Sequence, residues 1–245
     1  MLIENKKTMI RQLKTLTVLS FVAATVALSS CEVEDPGPLQ RKQKEFTIID
    51  FDRLEMGSSF HIEVEQANTF SINVEGDRRN IDDLDVYKRG STLIIEFDEN
   101  ADRKHDTYIT ITMPRLQSAN FSGASVSTVK GFESDGTLDF YISGASIAQL
   151  DAGYRVVNAV VSGASSLMMH GLGDELNAEV TGASVLSAFD YPVRQASVTA
   201  SGSSSGKLTV TDALEATASG SSSILYRGNP VVTADASGSS TVQKD

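Results

Sequence analysis

Residues 200–204 read "ASGSS", and the same five letters return at 218–222 and 236–240. Upstream, "SGAS" occurs at 122–125, 143–146 and 162–165, and "TGAS" at 181–184. The word's glycines are Gly123, Gly144, Gly163, Gly182, Gly202, Gly220 and Gly238, separated by steps of 21, 19, 19, 20, 18 and 18 residues. A period held within one or two residues marks a stacked structural unit with slack in its loops.

The residues before each word supply the second signal. Stepping back by twos gives Ile142, Phe140 and Leu138; Val161, Ala159 and Val157; Val180, Ala178 and Leu176; Ala200, Val198 and Ala196; Ala218, Ala216 and Leu214; Ala236, Ala234 and Val232. All are apolar, and the residues between them are mostly polar, with Val160 the clear exception. Alternation of period two predicts a strand with one buried face. Seven residues after the first letter of each word stands another apolar set: Val129, Leu150, Met169, Ala188, Leu208 and Tyr226. Turn formers such as "HGLGD", "FDYP" and "RGNP" separate the stretches. No segment has apolar residues at helical spacing, and tight two-residue hairpin turns such as Asn-Gly do not recur at fixed places in the repeat. The expectation is an all-β, right-handed parallel β-helix with a repeat of about 19 residues. At about 4.8 Å per coil, six repeats stack to roughly 29 Å. Glycine suits a corner closed to other residues, and a small neighbour lets coils approach. The spacing is compatible with the last serine of each word pointing either in or out.

The chain has 245 residues, one Cys, no Trp and a formal charge of −11. Its opening resembles export machinery rather than fold. Lys6, Lys7, Arg11 and Lys14 precede an apolar run, Leu16 to Leu28, and then "LSSC". The run is short for a membrane span and reads as the core of a signal peptide; Met9 is a second plausible start. Leu28 to Cys31 match a bacterial lipobox, so residues 1–30 are expected to be a lipoprotein signal peptide, with Cys31 as the lipidation site. More than one acyl chain on Cys31 would give a stable membrane anchor. A lone Cys leaves no intramolecular disulfide framework and no cysteine-based zinc site. Residues 31–44 read as a tether: Glu32, Glu34 and Asp35, then the stiff Pro36-Gly37-Pro38. The acidic run resembles the surface-export signal of some Gram-negative lipoproteins; a solvated linker has the same composition. The expected location is therefore the outer membrane, facing either the periplasm or the cell surface. Without residues 1–30 the charge is −14, four basic groups and one acid having gone. A chain this acidic excludes nucleic acid as a partner.

Residues 45–117 lack the word but keep strand patterns: Phe46 to Phe51, Ser59 to Glu65, Phe70 to Gly76, Leu93 to Phe97 and Tyr108 to Pro114. Their larger side chains predict a bulkier core. They are expected to continue the coils of residues 118–245 or to cap their end. Here "FDRLEMGSSFHIEVEQANTFSINVEG", "LIIEF" and "YITITMPRLQSANFSGAS" resemble the auto-transporter adhesin "head GIN" domain family, over about residues 45–245. The resemblance implies a secreted or surface-anchored β-helical protein and brings no catalytic residues.

"SGAS" lacks the G-x-S-x-G elbow, and seven copies do not suit a nucleophile. His61, His105 and His170 stand in no triad-like setting. "ASGSSSG" has no following G-K-[ST], so a phosphate loop is not expected. "DENADRKHD" begins like a calcium loop with Asp98, Asn100, Asp102 and Asp106, but Arg103 and Ile109 replace its essential Gly and Glu. Asp139, Asn158 and Asn177 each lie four before a word and are expected to stack as a polar ladder with one acid. Glu179 and Asp235 share the other outward position, three coils apart. No carboxylate pair suits glycan cleavage. The reading is a non-enzymatic envelope lipoprotein without cofactor or metal, contacting a surface protein or a glycan. A carbohydrate-binding or polysaccharide-processing surface protein is the alternative. Tyr141, Tyr154 and Tyr226 are the candidate stacking rings.

Overall fold

The computed structural model describes residues 37–99, 101 and 103–245. The signal-peptide and Cys31 readings fall on residues outside that set. Pro38–Asp245 forms one compact unit, and all of its sixteen strands belong to one continuous hydrogen-bonded sheet.

The repeat half is a parallel β-solenoid. Strands β9 (Val126–Ile142), β10 (Ile147–Val161), β11 (Ser166–Val180), β12 (Val185–Ala200) and β13 (Ser205–Ala218) each run from one word to the next. They pair in parallel, each on its sequence neighbour. The register sets word on word: Val161 faces Val180 and Ile147 faces Ser166. Each long strand bends midway, and register slips collect there, as between Asp151 and Gly153. Two shorter pieces make the last coil's two sides, β15 (Val231–Ala236) on β13, and β16 (Thr241–Lys244) on β14 (Ser223–Arg227).

Both apolar sets read from the sequence lie inside except toward the last coil, where Tyr226 and Val232 are half-buried and Ala234 and Ala236 are exposed. Leu138, Phe140, Val157, Val161, Val180, Ala200, Val129, Leu150, Met169 and Leu208 are buried in one continuous core. Full burial of a Leu or Phe side chain contributes about 1.5–3 kcal/mol. Phe60, Phe121, Phe132 and Phe140 make the core bulky toward the N-terminal side; the later coils fill theirs with Ala, Val and Leu. Tyr191, in the "FDYP" stretch that was expected to be a turn and lies within β12, is the exception. It is fully buried, and its hydroxyl lies 3.3 Å from both the Tyr154 amide and carbonyl. Burial pushes its phenol up to about 12.

The N-terminal half joins the stack, but out of chain order. Strands β2 (Arg53–Met56) and β3 (His61–Gln66) form one coil. On one side this coil pairs in parallel with β8 (Ser118–Phe121) and with β9. On the other it pairs in parallel with β6 (Thr92–Phe97) and β7 (Thr107–Met113). An earlier piece of chain is thus held between two later ones. Beyond β6 and β7 the pairing turns antiparallel: β5 (Leu84–Arg89) on β6, β4 (Ser71–Asp77) on β7, and β1 (Arg41–Phe46) on β4.

Three local expectations need correction. The strand expected from Phe46 to Phe51 lies instead at Arg41–Phe46, so residues 41–44, read as tether, pair with β4. Strands β2 and β5 were not anticipated. Nor was the short helix α1 (Arg78–Asp82), capped by Asp77, whose carboxylate accepts from the Arg79 amide at 3.0 Å.

Candidate functional site

The seven words form one edge of the stack. Their glycines all have φ between +74° and +79°, a region open to glycine and strained for other residues. Main-chain hydrogen bonds continue through the corner: Ala145 N donates to Gly123 O at 2.7 Å, Ala164 N to Gly144 O at 2.8 Å, and Ser221 N to Gly202 O at 2.7 Å. A Cβ on Gly144 would lie 2.2 Å from Gly123 O, and one on Gly163 2.4 Å from Gly144 O. Coil spacing therefore requires glycine at this place as much as backbone angle does.

The fourth letter of the word turns inward. Ser125, Ser146, Ser165, Ser184, Ser204 and Ser222 are all buried. Ser125 Oγ donates to Ser146 Oγ at 3.1 Å, and the others bond main-chain groups of their own corner or of a neighbouring coil. Ser146 Oγ donates to Ser143 O at 2.8 Å and Ser222 Oγ to Ser219 O at 2.8 Å, while Ser165 Oγ accepts from Ser146 N at 3.2 Å. These bonds satisfy polar groups that burial would otherwise leave unpaired. The third letter, Ala or Ser, faces out.

On the strand segments before the words, the expected polar ladder is present. Asn158 Nδ2 donates to Asp139 Oδ1 at 2.8 Å, and Asn177 Nδ2 donates to Asn158 Oδ1 at 3.1 Å and to Glu175 Oε1 at 2.8 Å. Ser197, Glu215 and Thr233 extend the column. Glu179, Thr199, Thr217 and Asp235 follow one another in register, so the two acids do lie three coils apart.

The segments after the words carry something the sequence reading missed. One outward column runs Tyr108, His61, Val126, Ile147, Ser166, Val185. Tyr108 is 49%, Val126 41%, Ile147 57% and Val185 38% exposed; Met168, two residues along from Ser166, is 46% exposed. Half of the ten large apolar side chains exposed among the described residues lie in these two adjacent columns. His61 and Ser166 interrupt the column, so its exposed apolar groups stand as Tyr108, the neighbouring pair Val126 and Ile147, and Val185. The His61 and Tyr108 rings stack with centroids 4.8 Å apart, and Asp106 Oδ2 lies 3.4 Å from the tyrosine hydroxyl. The signal was available: a β-branched residue directly after "SGAS", at an outward position.

A hollow of about 550 Å³ opens at the first coil, lined by Ser58, Ser59, Phe97, Asp98, Arg103 and His105 among others. The register places Ser58 where later coils have the word's glycine. Ser58 and Ser59 have φ of 68° and 59°. The wide connection between β6 and β7 runs past this point instead of a tight corner, and the hollow gives the Ser58 side chain room. Nearby, Asp77 is buried and held by Arg79 through Nε and Nη2, both at 2.7 Å, and by the Gln40 amide at 2.8 Å. The Arg79 guanidinium holds its carboxyl well below the usual range, outweighing the opposing effect of burial.

Other sequence candidates are dispersed. Asp98 and Asp106 flank this connection, while Asn100 and Asp102 fall outside the described residues. Among the described residues no three His, Cys, Asp or Glu side chains converge as metal ligands. His105 lies 4.0 Å from Asp77 and His170 lies 3.8 Å from Asp190. Tyr154 is buried and donates to Leu116 O at 2.9 Å, so it offers no stacking ring; Tyr141 is 39% exposed, on the polar-ladder side.

The family model described as "Putative auto-transporter adhesin, head GIN domain" matches residues 50–230. No curated protein matches the chain. Among solved structures, a "putative adhesin" from Bacteroides fragilis superposes with a TM-score of 0.76 at 18% identity, covering 84% of this chain and 97% of its own. A "putative adhesin" from Parabacteroides distasonis gives 0.69 at 18% identity, covering 85% and 98%. A "putative lipid binding protein" from the same species gives 0.65 at 19% identity, covering 84% and 96%. At these identities the likeness is one of fold.

Proposed function

The chain belongs to the head GIN domain family, and on that footing we propose that it is a non-enzymatic envelope lipoprotein that binds a surface protein through one flat face of its solenoid. The observation that carries this reading is the exposed column Tyr108, Val126, Ile147 and Val185, with Met168 beside it. A broad open face suits an extended partner rather than a small substrate. Its character selects the partner. The exposed groups are mainly aliphatic, which favours a protein surface, and a single tyrosine is a poor platform for a run of sugar rings. The adhesin names of the family and of its fold relatives support an envelope location. Lipidation at Cys31 would tether the solenoid to the outer membrane, with the acidic segment after it as spacer.

The test displays the full chain on cells and recovers bound envelope proteins, with a glycan array run in parallel. The expected result is a protein partner whose capture falls at least tenfold with Val126→Glu and Ile147→Glu together and is unchanged by Asn158→Ala on the other face. In the same cells Cys31→Ala should release the chain from the membrane fraction. Glycan binding without protein capture, or capture indifferent to the Val126 and Ile147 changes, would sink this reading in favour of the carbohydrate alternative.

A further inference from the structure

The end of the stack that follows Cys31 in the chain has a charge of its own. Here the outermost strands pair antiparallel, β1 on β4 and β5 on β6. These two outer strands, with α1 and its capping residues, carry seven bases: Arg41, Lys42 and Lys44 on β1, Arg78 and Arg79 on α1, and Lys88 and Arg89 on β5. Against them stand five acids, Glu45, Asp77, Asp82, Asp83 and Asp85. The balance is +2, in a chain that carries −14 from residue 31 onward. Three of the acids are already engaged: Asp77 with Arg79, Asp82 with Lys42 and Arg78, and Asp83 with Arg103. Four of the bases form no ion pair among the described residues. Lys88 Nζ donates to the Ile49 and Asp50 carbonyls at 3.0 and 3.3 Å, Arg89 Nη2 donates to the Tyr87 hydroxyl at 3.2 Å, Lys44 lies 4.6 Å over the Phe46 ring, and Arg41 is exposed. Two exposed aliphatic side chains stand among these cations, Leu39 at 43% and Ile49 at 55%. A hollow of about 510 Å³ is lined by Leu39, Arg41, Lys42, Lys104 and His105, with Glu75 and Asp106 also on its wall.

We propose that this end is a membrane-contact surface, and that what it meets is the phosphate-bearing headgroup layer of the lipid in which Cys31 is anchored. The proposal rests on the lipoprotein reading above, which puts a membrane within reach. Chain length supports it. Ten residue steps separate Cys31 from Arg41, at most about 35 Å when extended. The sheet path runs through eleven strands from β1 to β16, and at about 4.8 Å a spacing that is roughly 48 Å. A chain tethered at β1 therefore cannot stand on its β16 end. Chemistry selects the occupant. Basic groups without a counter-ion are drawn to anionic headgroups, and aliphatic side chains set among them enter the layer beneath. An added strand is disfavoured, because charged edges of this kind repel further pairing. Arg41, on the wall of the hollow, is placed to take a headgroup phosphate through its guanidinium. Glu32, Glu34 and Asp35 on the tether offset part of the attraction. A stack resting on this end holds the column from Tyr108 to Val185 along its length, clear of the lipid.

The test uses the processed chain from residue 31 with Cys31→Ala, so that no acyl chain contributes. It measures co-sedimentation with vesicles of phosphatidylcholine and phosphatidylglycerol, beside vesicles of phosphatidylcholine alone. Binding is expected to the anionic vesicles only, and should fall at least about tenfold with Arg41→Glu, Lys44→Glu and Arg89→Glu together. The thermal midpoint of that variant should match the parent's, because all three side chains are exposed. Val126→Glu with Ile147→Glu should bind the vesicles as the parent does, which separates this surface from the protein-docking face. On the bound chain a fluorophore at Thr47→Cys should be quenched by headgroup-labelled lipid, and one at Gln243→Cys should not. Equal binding to both vesicles, binding to neither, or binding indifferent to the three charge reversals would each overturn the proposal. So would competition by inorganic phosphate at constant ionic strength, which would make this a site for a free anion. A failed lipidation reading shows separately, as a chain purified from cells whose mass lacks acyl groups on Cys31.

Discussion

A methyl group at Gly163 has nowhere to go. Its φ of +78° is closed to alanine at ordinary cost, and the added carbon would lie 2.4 Å from Gly144 O. Gly163→Ala should therefore destabilise the fold by about 2–4 kcal/mol, lowering the thermal midpoint by roughly 5–15 °C. Ala164→Ser, one residue on, should change it by less than about 0.5 kcal/mol, since that letter faces out and is already Ser in the last three words. Calorimetry of the two variants separates coil spacing from mere repetition. The glycines could be read from the sequence because their recurrence is one-dimensional. The inward turn of Ser146 or Ser165 could not, since a small polar residue satisfies either side of a corner. Ser58 was hidden for a related reason: what permits a side chain there is the neighbouring connection, which is distant in sequence.

At the level of elements, alternation located the strand segments before the words and four N-terminal strands closely, because one buried face leaves a period-two trace. It did not find β2, β5 or α1, whose short, charged sequences owe their conformation to pairing and capping. The cap also predicts a pH dependence. Asp77 has its pKa depressed in the folded state by the Arg79 guanidinium, against an ordinary value of 3.8. A depressed folded value means the protein is stabilised by the ionised form. That contribution is complete above the unfolded value and is lost as pH falls from about 4 through the lower folded one. Asp77→Asn should cost roughly 2–4 kcal/mol at pH 7, because it leaves Arg79 without its anion in a largely buried setting. In urea titrations at pH 7, 5, 4, 3 and 2 the gap between the parent and Asp77→Asn should hold down to about pH 4 and then narrow. A gap that stayed constant into acid would assign the loss to shape rather than charge.

Across the whole Pro38–Asp245 unit, stability should be graded along the stack. Middle coils pair on both sides, whereas β15 and β16 pair on one. Amide exchange should be fastest in β15 and β16, slower in β13 and slowest in β10 and β11. Uniform protection from β9 to β16 would contradict a coil-by-coil ladder. The direction and repeat of this ladder were legible in the seven words. The interleaving was not, because it pairs Arg53–Gln66 with segments on both sides that follow it in the chain, and no periodicity records a skipped partner. That interleaving also sets a clock. In a chain emerging amino end first, the segment Arg53–Gln66 appears early yet has no neighbour on either flank until Thr92–Met113 and then Ser118–Lys130 have followed. The first coil to be made is therefore flanked on both sides only when Lys130 has appeared, and the molecule stays unlatched until more than half of it has been delivered.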